Sequence, residues 1–110
     1  MSSEIHIDET QEKDWTVIRL SGRLDAITCD KAQEAMLKSI SPSSPKLAVE
    51  TTALDYISSA GIRSLLMAGK AASRLAGGAF AVLRPSPIVG KVLGECGLDS
   101  CLGVCMQLPE

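Results

Sequence analysis

Aromatic residues are scarce: of 110 positions only Trp15, Tyr56 and Phe80 carry such a ring. That excludes the stacking platform on which single-stranded nucleic acids are bound. It also leaves the core to Leu, Ile, Val, Ala and Met. Basic arms and long charge runs are missing, and the formal charge is −2. Phosphate-backbone binding is therefore not the expected activity. No stretch approaches the roughly 20 apolar residues of a membrane span. The first residues, Met1 to Asp8, lack the basic and apolar regions of a signal peptide. The expectation is a soluble, cytoplasmic protein.

Catalytic signatures are missing too. There is no Gly-x-x-x-x-Gly-Lys-Ser/Thr loop and no Gly-x-Gly-x-x-Gly turn. His6 is the only histidine. It belongs to the first expected strand, far in sequence from any serine worth activating. The four cysteines, Cys29, Cys96, Cys101 and Cys105, include no Cys-x-x-Cys pair. Disulfides, a metal site and reduced thiols are the alternatives. Cys101 and Cys105, if on one strand, would stand about 13 Å apart at ~3.3 Å per residue, too far to share a zinc ion. Reduced, mostly buried structural thiols fit best, with no metal and no cofactor.

What is present is a chain that is 45% apolar, enough for the core of one domain over residues 1–110. Residues 4–9 alternate in polarity as an edge strand does, and residues 15–20 read as its hairpin partner. Gln11 to Asp14 would turn between them, and Ser21-Gly22 would end the second strand. Thr28 is placed to cap a helix from Cys29 to Ile40, with Cys29, Ala32, Met36 and Ile40 facing the core. The Ser/Pro run 41–45 stops it.

Leu47-Ala48-Val49 suits a buried central strand, followed by a loop through Leu54 and Tyr56. A second helix is expected over Ala60–Leu75, ended by Gly77-Gly78. Residues 79–83 form the next strand. Ser86, between Pro85 and Pro87, can cap a third helix reaching Cys96, and Leu102 to Gln107 would be the last strand. The fold class is α/β, in the order β-β-α-β-α-β-α-β. It implies one mixed, mostly parallel sheet with crossover helices and an antiparallel first strand.

The most informative segment is Leu54-Asp-Tyr-Ile-Ser-Ser-Ala-Gly-Ile-Arg-Ser-Leu-Leu66. It delivers the chain from a strand into a helix. Ser58 or Ser59 is the natural N-cap, and Ala60 and Gly61 keep side-chain bulk out of the first turn. Amides at a helix N-terminus favour negative charge. A phosphate on Ser59 would add about −1.5 to −2 charge to one surface spot without unfolding anything. A serine that merely caps the helix is the plainer alternative.

This segment and Leu20-Ser-Gly-Arg-Leu-Asp25 together resemble the STAS domain, the family named for sulfate transporters and anti-sigma factor antagonists. The family's Leu-x-Gly-x-Leu-Asp turn is matched in full, and its serine loop corresponds to Tyr56-Ile57-Ser58-Ser59-Ala60-Gly61. Ser58 stands where many phosphorylated members carry Asp. The resemblance implies that Ser59 is the phosphorylated serine, with Ser58 as a minor acceptor. It implies that Gly61 opens the helix and that Asp25 lies near the phosphorylation loop.

By the same resemblance the protein is not an enzyme but an anti-sigma factor antagonist. Its partner would be an anti-sigma factor that is also a serine kinase of the histidine-kinase-like ATPase fold. That kinase brings the ATP and Mg²⁺, and a PP2C-type phosphatase reverses the modification. The alternative within the family is a module that is never phosphorylated, serving in a transporter or signalling assembly.

Arg63, Met67, Lys70 and Arg74 form a stripe on the second helix, beginning one turn beyond Ser59. Ser58, Ser59, Gly61, Arg63, Met67 and Lys70, with Asp25, are expected to make the partner-binding face. A solvated basic helix face is the alternative reading of that stripe.

Overall fold

The computed structural model describes residues 4–109. Its elements are β1 (Ile5–Glu12), β2 (Trp15–Leu24), α1 (Cys29–Lys38), β3 (Lys46–Ile57), α2 (Ser59–Ser73), β4 (Ala79–Leu83), α3 (Pro87–Glu95) and β5 (Val104–Cys105). The five strands form one sheet in the order in which they occur in the chain. β1 runs antiparallel to β2, and the remaining pairs are parallel.

That order has a consequence. Each parallel step moves to the next strand in the same direction, and crossovers of this kind are right-handed. Successive helices are then laid on the same face of the sheet. The packing agrees: Ile18, Leu20, Leu47, Val49 and Val82 share one core with Ala32 and Met36 of α1, Leu65, Ala68 and Ala72 of α2, and Val89 and Leu93 of α3. The strand order never reverses. The crevice in which doubly wound sheets bind ligands is therefore not formed.

The opposite face has no helix on it. Trp15, Val17, Ala48, Ala81 and Leu83 make a smaller cluster there, covered by Leu108 of the C-terminal segment. Beside it Glu50 is 6% exposed and holds two arginines, Arg19 at 2.9 Å and Arg84 at 3.0 Å. Burial opposes the charge on Glu50. The hydrogen bonds from Arg84 and Arg19 outweigh it and keep the carboxyl below its usual range.

Several boundaries differ from the sequence reading. β2 does not stop at Ser21-Gly22 but continues to Leu24, with register shifts between Arg19 and Ser21 and between Gly22 and Arg23. Gly22 makes the continuation possible. Its φ is +103°, and a Cβ there would lie 2.5 Å from the Glu4 carbonyl oxygen. β3 is far longer than Leu47–Val49: the expected loop through Leu54 and Tyr56 is strand, paired with Ala53↔Ser21, Leu54↔Gly22, Tyr56↔Arg23 and Ile57↔Leu24. Leu54 and Ile57 are buried while Ala53, Asp55 and Tyr56 are exposed.

The last strand shrinks to Val104–Cys105. Leu98 to Gly103 is a turn instead, with the Leu102 amide bonded to Leu98 O at 2.8 Å and Gly103 at φ +61°. Cys101 and Cys105 thus do not share a strand. None of the four thiols is fully buried: Cys96 and Cys101 are exposed, Cys29 and Cys105 half-buried. The expectation of buried structural thiols fails because Cys96 falls at the α3 C-cap and Cys101 in the turn. α1 ends at Lys38, although Ile40 still packs on the core.

Candidate functional site

The end of the sheet where β2 and β3 finish together is built by the two family segments, and they are bolted to one another. The Ser58 amide donates to the Leu24 carbonyl at 3.0 Å. Directly beyond, Gly61 lies so close to β2 that a Cβ on it would sit 2.6 Å from Leu24 O and 2.8 Å from Leu24 Cγ. Backbone cannot give way to that degree, so only glycine fits this position. A third tie comes from Ser64, whose buried hydroxyl donates to the Cys29 carbonyl at 3.2 Å and to Ala60 O at 3.3 Å. It fastens α2 to the start of α1.

The Asp25–Thr28 loop is stitched by its own side chains. Asp25 Oδ1 accepts from the amides of Ile27 at 3.0 Å and Thr28 at 3.2 Å. The Thr28 hydroxyl accepts from the Asp25 amide at 3.0 Å and donates to Arg23 O at 2.7 Å. Thr28 stands at the N-cap position of α1, but its hydroxyl is consumed in this loop and caps nothing. The two arms of the loop are tied to residues 58 and 64 through Leu24 and Cys29, so the loop lies beside the first turns of α2.

Ser58 is the N-cap of α2. Its backbone is extended, at φ −102° and ψ 175°, and its hydroxyl accepts from the Gly61 amide at 3.3 Å. Ser59 is the first helical residue, so α2 begins one residue before the expected Ala60. Its side chain is exposed, and its hydroxyl carries no hydrogen bond among the described residues. The first turn of α2 contains no acidic residue. Here the roles that sequence left open separate: one serine closes the helix, and its neighbour is displayed.

Of the other expected contact residues, Arg63, Met67 and Lys70 are exposed, Met67 to 46%. Asp25 and Gly61 are turned inward, Asp25 being 8% exposed and Gly61 buried. They position the site and present little of it to a partner. His6 is exposed on β1, opposite Ser21 in the register. The sequence reading missed three residues here. Arg23 lies over the Tyr56 ring at 4.1 Å from its centroid, joining β2 to β3 on the exposed side. Ile27, at the tip of the stitched loop, is 73% exposed. Ser64 could have been found as the polar residue interrupting the apolar face of α2.

Among the described residues no group of three or more His, Cys, Asp or Glu side chains could hold a metal ion. No helix among them is long and apolar enough to cross a membrane.

A profile of the STAS domain matches residues 6–110, and the chain belongs to that family. No curated protein sequence matches it. Solved structures do. An anti-sigma factor antagonist from Mycobacterium paratuberculosis aligns over 96% of this chain and 88% of its own, with 21% identity and a TM-score of 0.81. The anti-sigma factor antagonist SpoIIAA in its unphosphorylated form aligns over 93% and 90%, with 22% identity and a TM-score of 0.75. The phosphorylated form of SpoIIAA, described as a Bacillus cell fate determinant, aligns over 94% and 93%, with 20% identity and a TM-score of 0.67. At these identities the likeness is one of fold.

Proposed function

We propose that this chain is an anti-sigma factor antagonist that works by partner switching in the cytoplasm, with Ser59 as the switched residue. Unphosphorylated, it docks on an anti-sigma factor with serine-kinase activity and frees the sigma factor. Phosphorylated on Ser59, it binds weakly, and a PP2C-type phosphatase restores it. The chain itself supplies no catalysis.

One observation carries this reading: the unpaired, exposed Ser59 hydroxyl at the first position of α2, beside a separate serine that already serves as the cap. The neighbouring amides and the helix dipole tolerate a dianion there. Arg63, four residues on and on the same helix face, can pair with the phosphate. The rigid ties through Leu24, Gly61 and Ser64 mean that the added charge alters the surface and not the scaffold. The names of the structural neighbours support the same role, since one of them is solved with and without its phosphate.

The test is mass spectrometry of the purified chain after incubation with Mg-ATP and the anti-sigma factor kinases of its source organism. One phosphate on Ser59, absent from Ser59→Ala, is the expected result. No modification at Ser59 or Ser58 would replace the switch with the alternative, an unphosphorylated interaction module.

A further inference from the structure

Resting on the partner-switching reading, we propose that the docking surface extends from α2 across the Asp25–Thr28 loop to Ile27. The protein surface that fits it carries an apolar pocket with an acidic rim.

The first argument is size. A stable protein interface takes about 20–30 residues from each side. The α2 stripe supplies Arg63, Met67 and Lys70, too few to account for one. The most exposed large apolar group at this end is Ile27, at 73% against 37% for Tyr56. Its exposure is not slack in the chain. The amides of Ile27 and Thr28 are both held by Asp25 Oδ1, and the Thr28 hydroxyl anchors the loop to Arg23 O. A β-branched side chain is thus held in water on a pinned backbone, which lowers the entropy lost when a partner covers it. Ile27 also borders the cleft between α1 and β1, where Ile7 and Ala35 lie among Asp30, Lys31, Glu34 and Lys38.

The second argument is charge. α2 carries Arg63 and Lys70 and no acidic residue over its whole length. Around the Ile27 loop the charges balance, with Glu4, Asp30 and Glu34 beside Lys31 and Lys38 and with Arg23 paired to Asp25 at 3.5 Å, so the uncompensated positive charge lies on α2. The positive bias of α2 is opposite in sign to the chain's net charge of −2. An acidic partner surface complements it. The switch then follows from the same electrostatics. A phosphoserine at position 59 adds about −1.5 to −2 charge and turns attraction for an acidic surface into repulsion.

The experiment is surface plasmon resonance of the full chain on immobilised, purified anti-sigma factor kinases of the source organism, without ATP. Wild type, Ile27→Ala, Ser59→Glu and the double variant Arg63→Glu/Lys70→Glu are compared. Ile27→Ala should dissociate roughly tenfold faster or more, with an unchanged melting temperature because the side chain is solvent-exposed. The association rate of the wild type should fall as salt is raised, and the double variant should associate more slowly. Wild-type kinetics for Ile27→Ala, with Ser59→Glu impaired, would overturn the Ile27 anchor and leave the switch standing. An association rate indifferent to salt would overturn the acidic partner. Absence of binding by the wild type to every kinase would overturn the proposed function and this inference together.

Discussion

The N-termini of α2 and α3 are built by the same local device and differ in what stands beside it. Ser58 accepts from the Gly61 amide at 3.3 Å, and Ser86 accepts from the Val89 amide at 3.3 Å, each three residues on. The two helices diverge at the positions in between. At the first helical residue α2 has Ser59, whereas α3 has Pro87. At the third, α2 has Gly61 pressed against Leu24, whereas α3 has Val89 in the main core. The caps themselves also differ: Ser86 is 6% exposed, and Ser58 is half-buried. A capping serine is thus no indication of function. What sets α2 apart is a second hydroxyl displayed beside the cap, on a helix start locked to its neighbours.

The sharpest way to break the comparison is charge. Ser59→Glu should weaken binding to the anti-sigma partner by about a hundredfold or more, as expected for a charge placed in a desolvated contact. Phosphopeptide mapping should find no phosphate on Ser86, whose hydroxyl is buried and followed by proline. Equal labelling of both serines would dissolve the distinction.

Next comes the glycine. Gly61→Ala should lower stability by about 2–3 kcal/mol, because the new methyl overlaps a backbone carbonyl. In α3, Gly94→Ala meets nothing within 4 Å and should raise stability by roughly 0.5–1 kcal/mol. Urea unfolding of both variants checks the contrast, and a neutral Gly61→Ala would mean that the two segments are not bolted as described.

Removing the caps is a smaller perturbation. Ser86→Ala should cost about 1–2 kcal/mol and Ser58→Ala about 0.5–1 kcal/mol, the difference reflecting burial. A larger loss at Ser58 than at Ser86 would reverse that ranking.

Acid provides the mildest test, since neither helix start carries a buried titrating group. Glu50, on the open face, has its carboxyl held below the usual value of 4.5 by its two arginines. A depressed carboxyl stabilises the fold fully above the unfolded-state value and loses that contribution as the pH falls toward the folded one. Wild-type stability should therefore decline below about pH 4.5. Glu50→Gln should flatten the decline, while Ser58→Ala keeps the wild-type slope.

Much of this was legible before the structure. The three helices and the antiparallel hairpin follow from periodicity, and Gly97 at φ +70° ends α3 as a glycine past a helix should. Two short motifs at a fixed separation single out Ser59 in the sequence, and the structure places it, exposed, at the first position of α2. Tyr56 and Leu54 misled, since a polar, alternating stretch at the margin of a sheet looks like a loop until its partner strand is known. The cysteines misled because their burial depends on where α3 stops and how the following turn folds.

Sequence by itself determined the order of the elements and the positions of serine, glycine and apolar side chains along each. Those are properties of neighbours in the chain, read through fixed helical and strand repeats. Which serine caps and which is displayed, and that Asp25 faces inward while Ile27 faces out, were decided only by tertiary contacts. Those contacts join residues some 35 positions apart, such as Ser64 with Cys29, and no local repeat encodes the register in which two distant strands meet.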